Sequence, residues 1–595
     1  MIFDNLAPTS PRRRAGLVAP LALALGAAAL TADGARAQPG PLPTGGPPTG
    51  EDAPKPEGIA EAAPKAAGLL TTTTALPPPR DRRKKFEVIT IDGYLRTRGD
   101  WMKNLHLGFN DDPTLGGAPF PRPLGCAGPA GSPCDDTLKS SNLRLRLEPS
   151  IQLSETITVH TQLDLFDNIV LGSGGGAGST SDIVLRRAWA EVSTGLGYLK
   201  FGRMPDHFGL GITANSGRRV DTDYAAWETL WQPSALANIG GTNPVGYDLD
   251  SDHGDTVDRL SFTAMIPGTP FRAIAAVDWP AVSVTSADEG LAGGQPWDVD
   301  DNDDEKGWML GVARVDAPAD FADRVARGKL TTNYAARVVR RTQDRDYSDP
   351  VTPGATAEAY VPRGYKEYQP SAWFKLGWRK VLVEAEVGLR VGSIEHATDL
   401  GFDSGVDILA WGGVARVSAK ALDDKLGYGL ELGAASGDEA DGDPQGSTHI
   451  RDQALLTSDR TFNRFIFDPD YKIDLILFRE LIGAVSNAVY VRPWLSYELT
   501  RSIKFHAQNV TAGALRPVAT PGNAKMWGVE LDLDLAYSSN GFHAGLAYGL
   551  FIPLSAMNHP EDSILGGGDG FGYGAGNIGD ASNAHSIQAR FAIEF

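Results

Sequence analysis

From about residue 86 to the C-terminus the chain alternates apolar and polar residues one by one, in stretches of about nine to twelve residues. A period of two is that of a β-strand with one apolar face. Ile89, Ile91, Gly93 and Leu95 fall on one face of the first such stretch, and Thr90, Asp92, Tyr94, Arg96 and Arg98 on the other. Leu143, Leu145 and Leu147 alternate with Arg144, Arg146 and Glu148. Val529, Leu531, Leu533, Leu535 and Tyr537 alternate with Glu530, Asp532 and Asp534. No run of 18 or more strongly apolar residues follows the N-terminal leader, which argues against a helical membrane protein. A soluble sandwich also alternates. The strand length, however, suits a tilted membrane-spanning strand, and aromatics such as Trp378, Trp527, Tyr537 and Phe591 near the ends of apolar faces suit interfacial girdles. A mean hydropathy of −0.21 fits, because only alternate residues would face lipid.

The connections alternate in length. Short turns are expected at Ser154-Glu155, Gly195–Gly197, Pro267–Pro270, Arg379-Lys380, Ala421–Lys425, Thr500-Arg501 and Ser538–Gly541. Long segments rich in Gly, Asp and Pro fall at 105–139, 167–182, 205–256, 280–306, 342–365 and 437–484. Short turns on one side of the membrane and long external loops on the other are the habit of transmembrane barrels. The predicted fold is therefore all-β, a closed antiparallel up-and-down barrel over 86–595 of about 18 strands (16–18), with 86–100 the first and 584–595 the last.

The first 37 residues read as a cleaved signal peptide, with Arg12, Arg13 and Arg14 before an Ala/Leu-rich stretch and Ala35-Arg36-Ala37 as the cleavage site. Residues 38–85 are rich in Pro and Ala and are expected to form a disordered periplasmic tether. The net charge of −19 argues against nucleic acid as a partner. The two cysteines, Cys126 and Cys134, bracket a Gly/Pro-rich stretch in an exported chain and are expected to form a disulfide.

The last strand, AHSIQARFAIEF, sets Ile587, Ala589, Phe591, Ile593 and Phe595 on one face. It resembles the C-terminal assembly signal of outer-membrane proteins, with Phe591, Ile593 and Phe595 as its residues. RRAWAEVSTGLGYLKFGRMPDHFGLGI, Arg186 to Ile212, resembles a strand–turn–strand of porin-like barrels followed by a loop that opens with Met-Pro. FIFDPDYKIDLILFRELIGAVSNAVYVRPWLSYEL, Phe465 to Leu499, resembles uncharacterised myxobacterial-type outer-membrane barrels related to the alginate-export and porin families. The resemblance implies a Gram-negative outer-membrane location, with membrane lipid, lipopolysaccharide and the barrel-assembly machinery as partners. It carries no catalytic residues.

Searching for chemistry yields little. The run Gly172 to Thr180 lacks the Lys of a phosphate loop, and HExxH, GxSxG and CxxC are absent. His160, His506 and His543 are expected to line a lumen. Asp248, Asp250 and Asp252 are spaced as Ca²⁺ ligands, but His253 stands where an EF-hand needs Gly and Arg259 where it needs Glu, which leaves a solvated loop as the plainer reading. No other cofactor is expected. Inward faces would gather Arg96, Arg98, Arg144, Arg146 and Arg590 into a basic wall, offset in part by Glu148 and Glu594. Glu384, Glu386, Glu530, Asp532 and Asp534 would form an acidic wall elsewhere. These features predict a channel for passive or substrate-selective diffusion of small solutes, with a bias toward anions. The alternative is a plugged barrel serving as a structural or adhesion protein, or a barrel enzyme. Ile473–Ile482, with helical apolar spacing, is the candidate plug.

Overall fold

The computed structural model describes residues 89–109, 136–172, 183–217, 254–266, 268–279, 305–316, 318–348, 359–397, 404–438, 460–539, 541–560 and 578–595. The leader and the tether lie outside the described residues, as do Cys126, Cys134, Asp248, Asp250 and Asp252. In chain order the strands are β1 Ile89–Lys103, β2 Thr137–Gln152, β3 Ile157–Val170, β4 Val184–Thr194, β5 Gly197–Pro205, β6 Thr256–Met265 and β7 Phe271–Asp278. They continue with β8 Lys306–Arg314, β9 Thr331–Ser348, β10 Ala359–Trp378, β11 Val381–Ile394, β12 Val406–Ala421, β13 Leu426–Ala435 and the two-residue β14 Thr461–Phe462. The last are β15 Ala488–Glu498, β16 Ile503–Gly513, β17 Met526–Ser539, β18 Phe542–Pro553 and β19 Ala584–Glu594.

Eighteen of these strands, all but β14, pair antiparallel with their neighbours and close into one barrel. Closure is between β1 and β19, in register from Tyr94 opposite Glu594 to Lys103 opposite His585. Gly93 and Phe595 exchange two backbone hydrogen bonds (3.0 and 3.1 Å) below that ladder, so the terminal residue is itself part of the seam. Closure leaves no unpaired edge, a condition for any sheet that crosses lipid. β14 runs parallel to the loop end of β12.

The period-two pattern becomes two faces. Leu531, Leu533 and Leu535 are 43, 45 and 46 % exposed, whereas Glu530, Asp532 and Asp534 are 0, 1 and 3 % exposed. An apolar exterior around a charged interior inverts a soluble protein and matches lipid outside. Trp378, Tyr537 and Phe591 lie on the outer face as expected. Trp527 does not. It is the extra residue of a β-bulge, with Gly528 opposite Ala512 and Met526 opposite Gly513, and the indole is buried inside, donating from Nε1 to the Asn487 carbonyl (3.1 Å).

All seven expected short turns are present, at 153–156, 195–196, 266–270, 379–380, 422–425, 499–502 and 540–541. One more connection at that end, 315–330, was not foreseen. It carries the helix α1, Pro318–Ala326, which buries Phe321 and Val325 against β10 where Gly377 leaves room. At the other end three connections, 395–405, 514–525 and 554–583, add to the expected long loops.

The lumen and its in-folded segments

The arginines of β1, β2 and β19 are brought together. Arg96 lies opposite Arg144, Tyr94 opposite Arg146, and Arg98 opposite Arg590. Neighbouring strands are about 5 Å apart, so these cations need counter-charges. Asp100 accepts from Arg98 (2.6 Å). From β3, Asp164 takes a two-pronged bond from Arg146 (2.6 and 2.9 Å), and Asp167 accepts from Arg144 (2.9 Å). Arg186 of β4 bonds both Asp164 and Asp167. Arg96 donates to Asn142 and Asn168, and Arg590 to Gln588. The wall is thus an alternating ladder. Asp100, Asp164 and Asp167 supply these counter-charges, whereas Glu148 accepts from Gln162 (2.6 Å) and Glu594 lies 3.2 Å from His543.

Among the described residues, two loop segments are anchored inside the barrel by wall carboxylates. Residues 206–217 follow β5 directly, after the Met204-Pro205 pair. Asp206 is held between Arg259 of β6 (2.9 Å) and Arg337 of β9 (3.1 Å). Burial pushes its carboxyl up, but the two guanidiniums win and hold it well below the usual carboxylate range. The backbone then coils around a wall residue. Glu386 of β11 accepts from the amides of Leu210 (2.6 Å), Gly211 (2.9 Å), Ile212 (3.4 Å) and Thr213 (3.2 Å), and from the Thr213 hydroxyl (2.8 Å). Successive N–H groups converging on one anion need left-handed backbone, which Gly209 (φ 55°) and Gly211 (φ 90°) supply.

Residues 460–487 enter in the same way. Glu530 of β17 accepts from the amides of Leu475 (2.9 Å), Ile476 (2.8 Å) and Leu477 (2.8 Å). The expected plug helix is a short π-helical turn, Leu477–Leu481, with Asp474 accepting from the amides of Phe478 and Arg479. Its side chains join Phe208, Leu210, Ile212, Phe465, Phe467 and Trp527 in the largest apolar core. Wall glycines make room: a Cβ at Gly388 would collide with Thr213, and one at Gly412 with Phe465. The segments also meet each other, since the Asn215 amide donates to both Asp255 (3.2 Å) and Asp468 (3.1 Å), and the Asp468 amide to the Ile212 carbonyl (3.0 Å).

The five acidic residues proposed for a wall therefore all face inward, and several hold local partners. Glu386 and Glu530 anchor the segments. Glu384 accepts from Arg416 (2.6 Å) and Trp373 (3.2 Å), and Asp532 from Gln508 (2.8 Å). Asp534 sits across from His506 in register. Sequence reasoning missed Asp206, Arg259, Arg337, Asp164 and Asp167 as partners. Their inward parity was readable for the strand residues, but the pairing across strands was not. His160 stacks on buried Trp189, and His506 and His543 are buried on the inner face, as expected. Among the described residues no cluster of three or more metal-ligating side chains exists.

Closure, apolar belt and charged interior define a transmembrane β-barrel of the outer-membrane class. No family model and no curated protein matches the chain. Solved structures similar to it include the outer membrane channel DcaP of Acinetobacter baumannii, with 10 % identity, 85 % of this chain and 97 % of that chain covered, and a TM-score of 0.36. OccK9 (OpdG) of Pseudomonas aeruginosa has 11 % identity, coverages of 85 % and 98 %, and a TM-score of 0.42. OmpT, an outer membrane protein of Vibrio cholerae, has 11 % identity, coverages of 85 % and 98 %, and a TM-score of 0.31.

Proposed function

We propose that the protein is a porin-like outer-membrane channel for diffusion of small solutes, narrowed by segments 206–217 and 460–487. One observation carries the reading. The apolar core that the segments build takes wall residues from β1, β8–β10, β12, β13 and β15–β19, and none from β2–β7. The inner wall of that sector is rich in charge, with Arg144, Arg146, Asp164, Arg187, Glu191 and Arg259 inside, beside the apolar Trp189, Tyr198, Ile274 and Ala276. A barrel of this strand number is wide enough for an aqueous path beside a partial plug. Because aspartates neutralise much of the arginine ladder, the expected preference for anions is weak. The reading assigns no catalytic residue, and the short-turn end, where β1 begins and β19 ends, faces the periplasm.

The extent of the apolar core favours a second reading, a plugged structural barrel. Planar-bilayer recording separates the two. Discrete conductance steps are expected, with a reversal potential under a salt gradient that moves toward cations in Arg96→Glu with Arg144→Glu. A folded wild-type barrel without conductance would establish the plugged barrel. An unchanged reversal potential in a conducting double variant would remove the arginines from selectivity.

A further inference from the structure

Toward its long-loop end the outer face of β8–β10 departs from the lipid-facing pattern. Along β9 the outward positions run Tyr334, Ala336, Val338 and then Arg340. In register, Trp308 of β8 lies opposite Arg340 on one side and Tyr368 of β10 on the other. The Arg340 guanidinium carbon stands 5.9 Å from each ring centroid, within the reach of a cation–π contact. Among the described residues no carboxylate is paired with it.

One step toward the loop end lies a second outward row, Lys306 opposite Thr342 opposite Lys366. Both lysines are exposed. They flank β9 about 10 Å apart and about 7 Å along the strand from the arginine row. Lys366 is paired with Glu395 (2.6 Å), and Asp344 is the next outward residue of β9, so the patch is not uniformly basic. Lys306 has no acidic partner among the described residues.

Its depth in the membrane follows from β10. Outward Trp378 at the turn end and outward Tyr368 are separated by about 33 Å along the strand, or about 25 Å along the membrane normal at a tilt near 40°. That is the height of an apolar belt bounded by aromatic girdles. Arg340 therefore sits at the belt's edge on the long-loop side, which faces the outer leaflet.

We propose that Arg340, cradled by Trp308 and Tyr368 and topped by Lys306 and Lys366, is a binding site for the phosphorylated headgroup of an outer-leaflet glycolipid. The phosphate is the ligand chemistry that matches the cations: a guanidinium offers several N–H donors to phosphate oxygens, and lysines add point charge. The acyl chains would lie along the apolar strip of Leu310, Val312 and Phe374, which continues below on the same strands. A free phosphate has no use for that strip, so the site is assigned to the lipid. The inference rests on the orientation of the barrel and holds whether or not the lumen conducts.

The test is native mass spectrometry of the folded protein in detergent, titrated with bisphosphorylated lipid A, with dephosphorylated lipid A and with inorganic phosphate. Retention of the bisphosphorylated form is expected, with about tenfold weaker retention in Arg340→Gln and a smaller loss in Lys306→Gln. Lys306 lies at an exposed strand end, so its variant reports even if Arg340→Gln folds poorly. Equal retention of phosphorylated and dephosphorylated lipid would overturn the proposal. So would unchanged retention in both variants, or displacement of the lipid by inorganic phosphate at equal concentration.

Discussion

Glu386→Ala probes how the lumen is narrowed. The buried Glu386 carboxylate accepts four backbone amides and one hydroxyl from residues 210–213, of which Thr213 is half-buried. A hydrogen bond to a charged group is worth about 1.5–3 kcal/mol net, and each buried donor left unmade costs about 1–3 kcal/mol. Five donors share two oxygens, and water entering the vacated space would satisfy some of them. A destabilisation of about 4 kcal/mol for the in-folded arrangement follows. At about 1.4 kcal/mol per tenfold, the ratio of in-folded to released segment falls by roughly a thousandfold. Asp206 remains clamped by Arg259 and Arg337, and Phe208 remains under Arg337 (4.5 Å), so the base of the segment stays in place while its tip moves. The barrel wall should survive, because β11 keeps both of its ladders. The readouts are unit conductance in planar bilayers and limited proteolysis of the folded protein. The variant should show larger or noisier conductance and new cleavage between residues 206 and 217. If a heat-modifiable, folded Glu386→Ala barrel matched wild type in both, the anchoring argument would fail.

Two further predictions concern assembly and pH. Phe591→Asp places a charge on the outer face of the closing strand at a cost of up to about 2 kcal/mol and breaks the proposed assembly signal; a marked loss of heat-modifiable barrel from the outer membrane is expected, and wild-type amounts would contradict it. At the junction of the two segments, burial first and then Asp255 and Asp470 raise the Asp468 carboxyl well above its ordinary value of 3.8, and burial raises Asp255 as well. A raised value means that the protonated form favours the native junction. Its contribution is complete below 3.8 and is lost as pH rises through the elevated value, so proteolysis of the segments should increase with pH. Asp468→Asn should flatten that dependence, and a wild-type protein most sensitive at acid pH would refute the sign.

Alternation, strand length and the spacing of turns are enough to specify a closed transmembrane barrel. Alternation fixes which residues of a strand face lipid, because successive side chains point to opposite faces, and this placed Leu531 outside and Glu530 inside correctly. The seven tight turns were legible too, since a two- to five-residue hairpin is written in local residues such as Gly195–Gly197 and Arg379-Lys380. Trp527 escaped, because a bulge shifts parity by one residue and leaves no mark in the period. The helix in 315–330 escaped because its nine residues span only about two and a half turns of the 3.6-residue period, too few to stand out from the alternation on either side. What the tertiary structure alone decided is the lumen. That Glu386, about 175 residues from Leu210, meets its amides, or that Asp164 and Asp167 neutralise an arginine ladder, depends on which strands lie side by side and where a long loop turns. The sequence carries inward parity for each residue separately. Pairing is a property of closure: where the wall and the in-folded segments bury a charge or a loop amide away from water, it must find a partner among the groups that the closed wall happens to present.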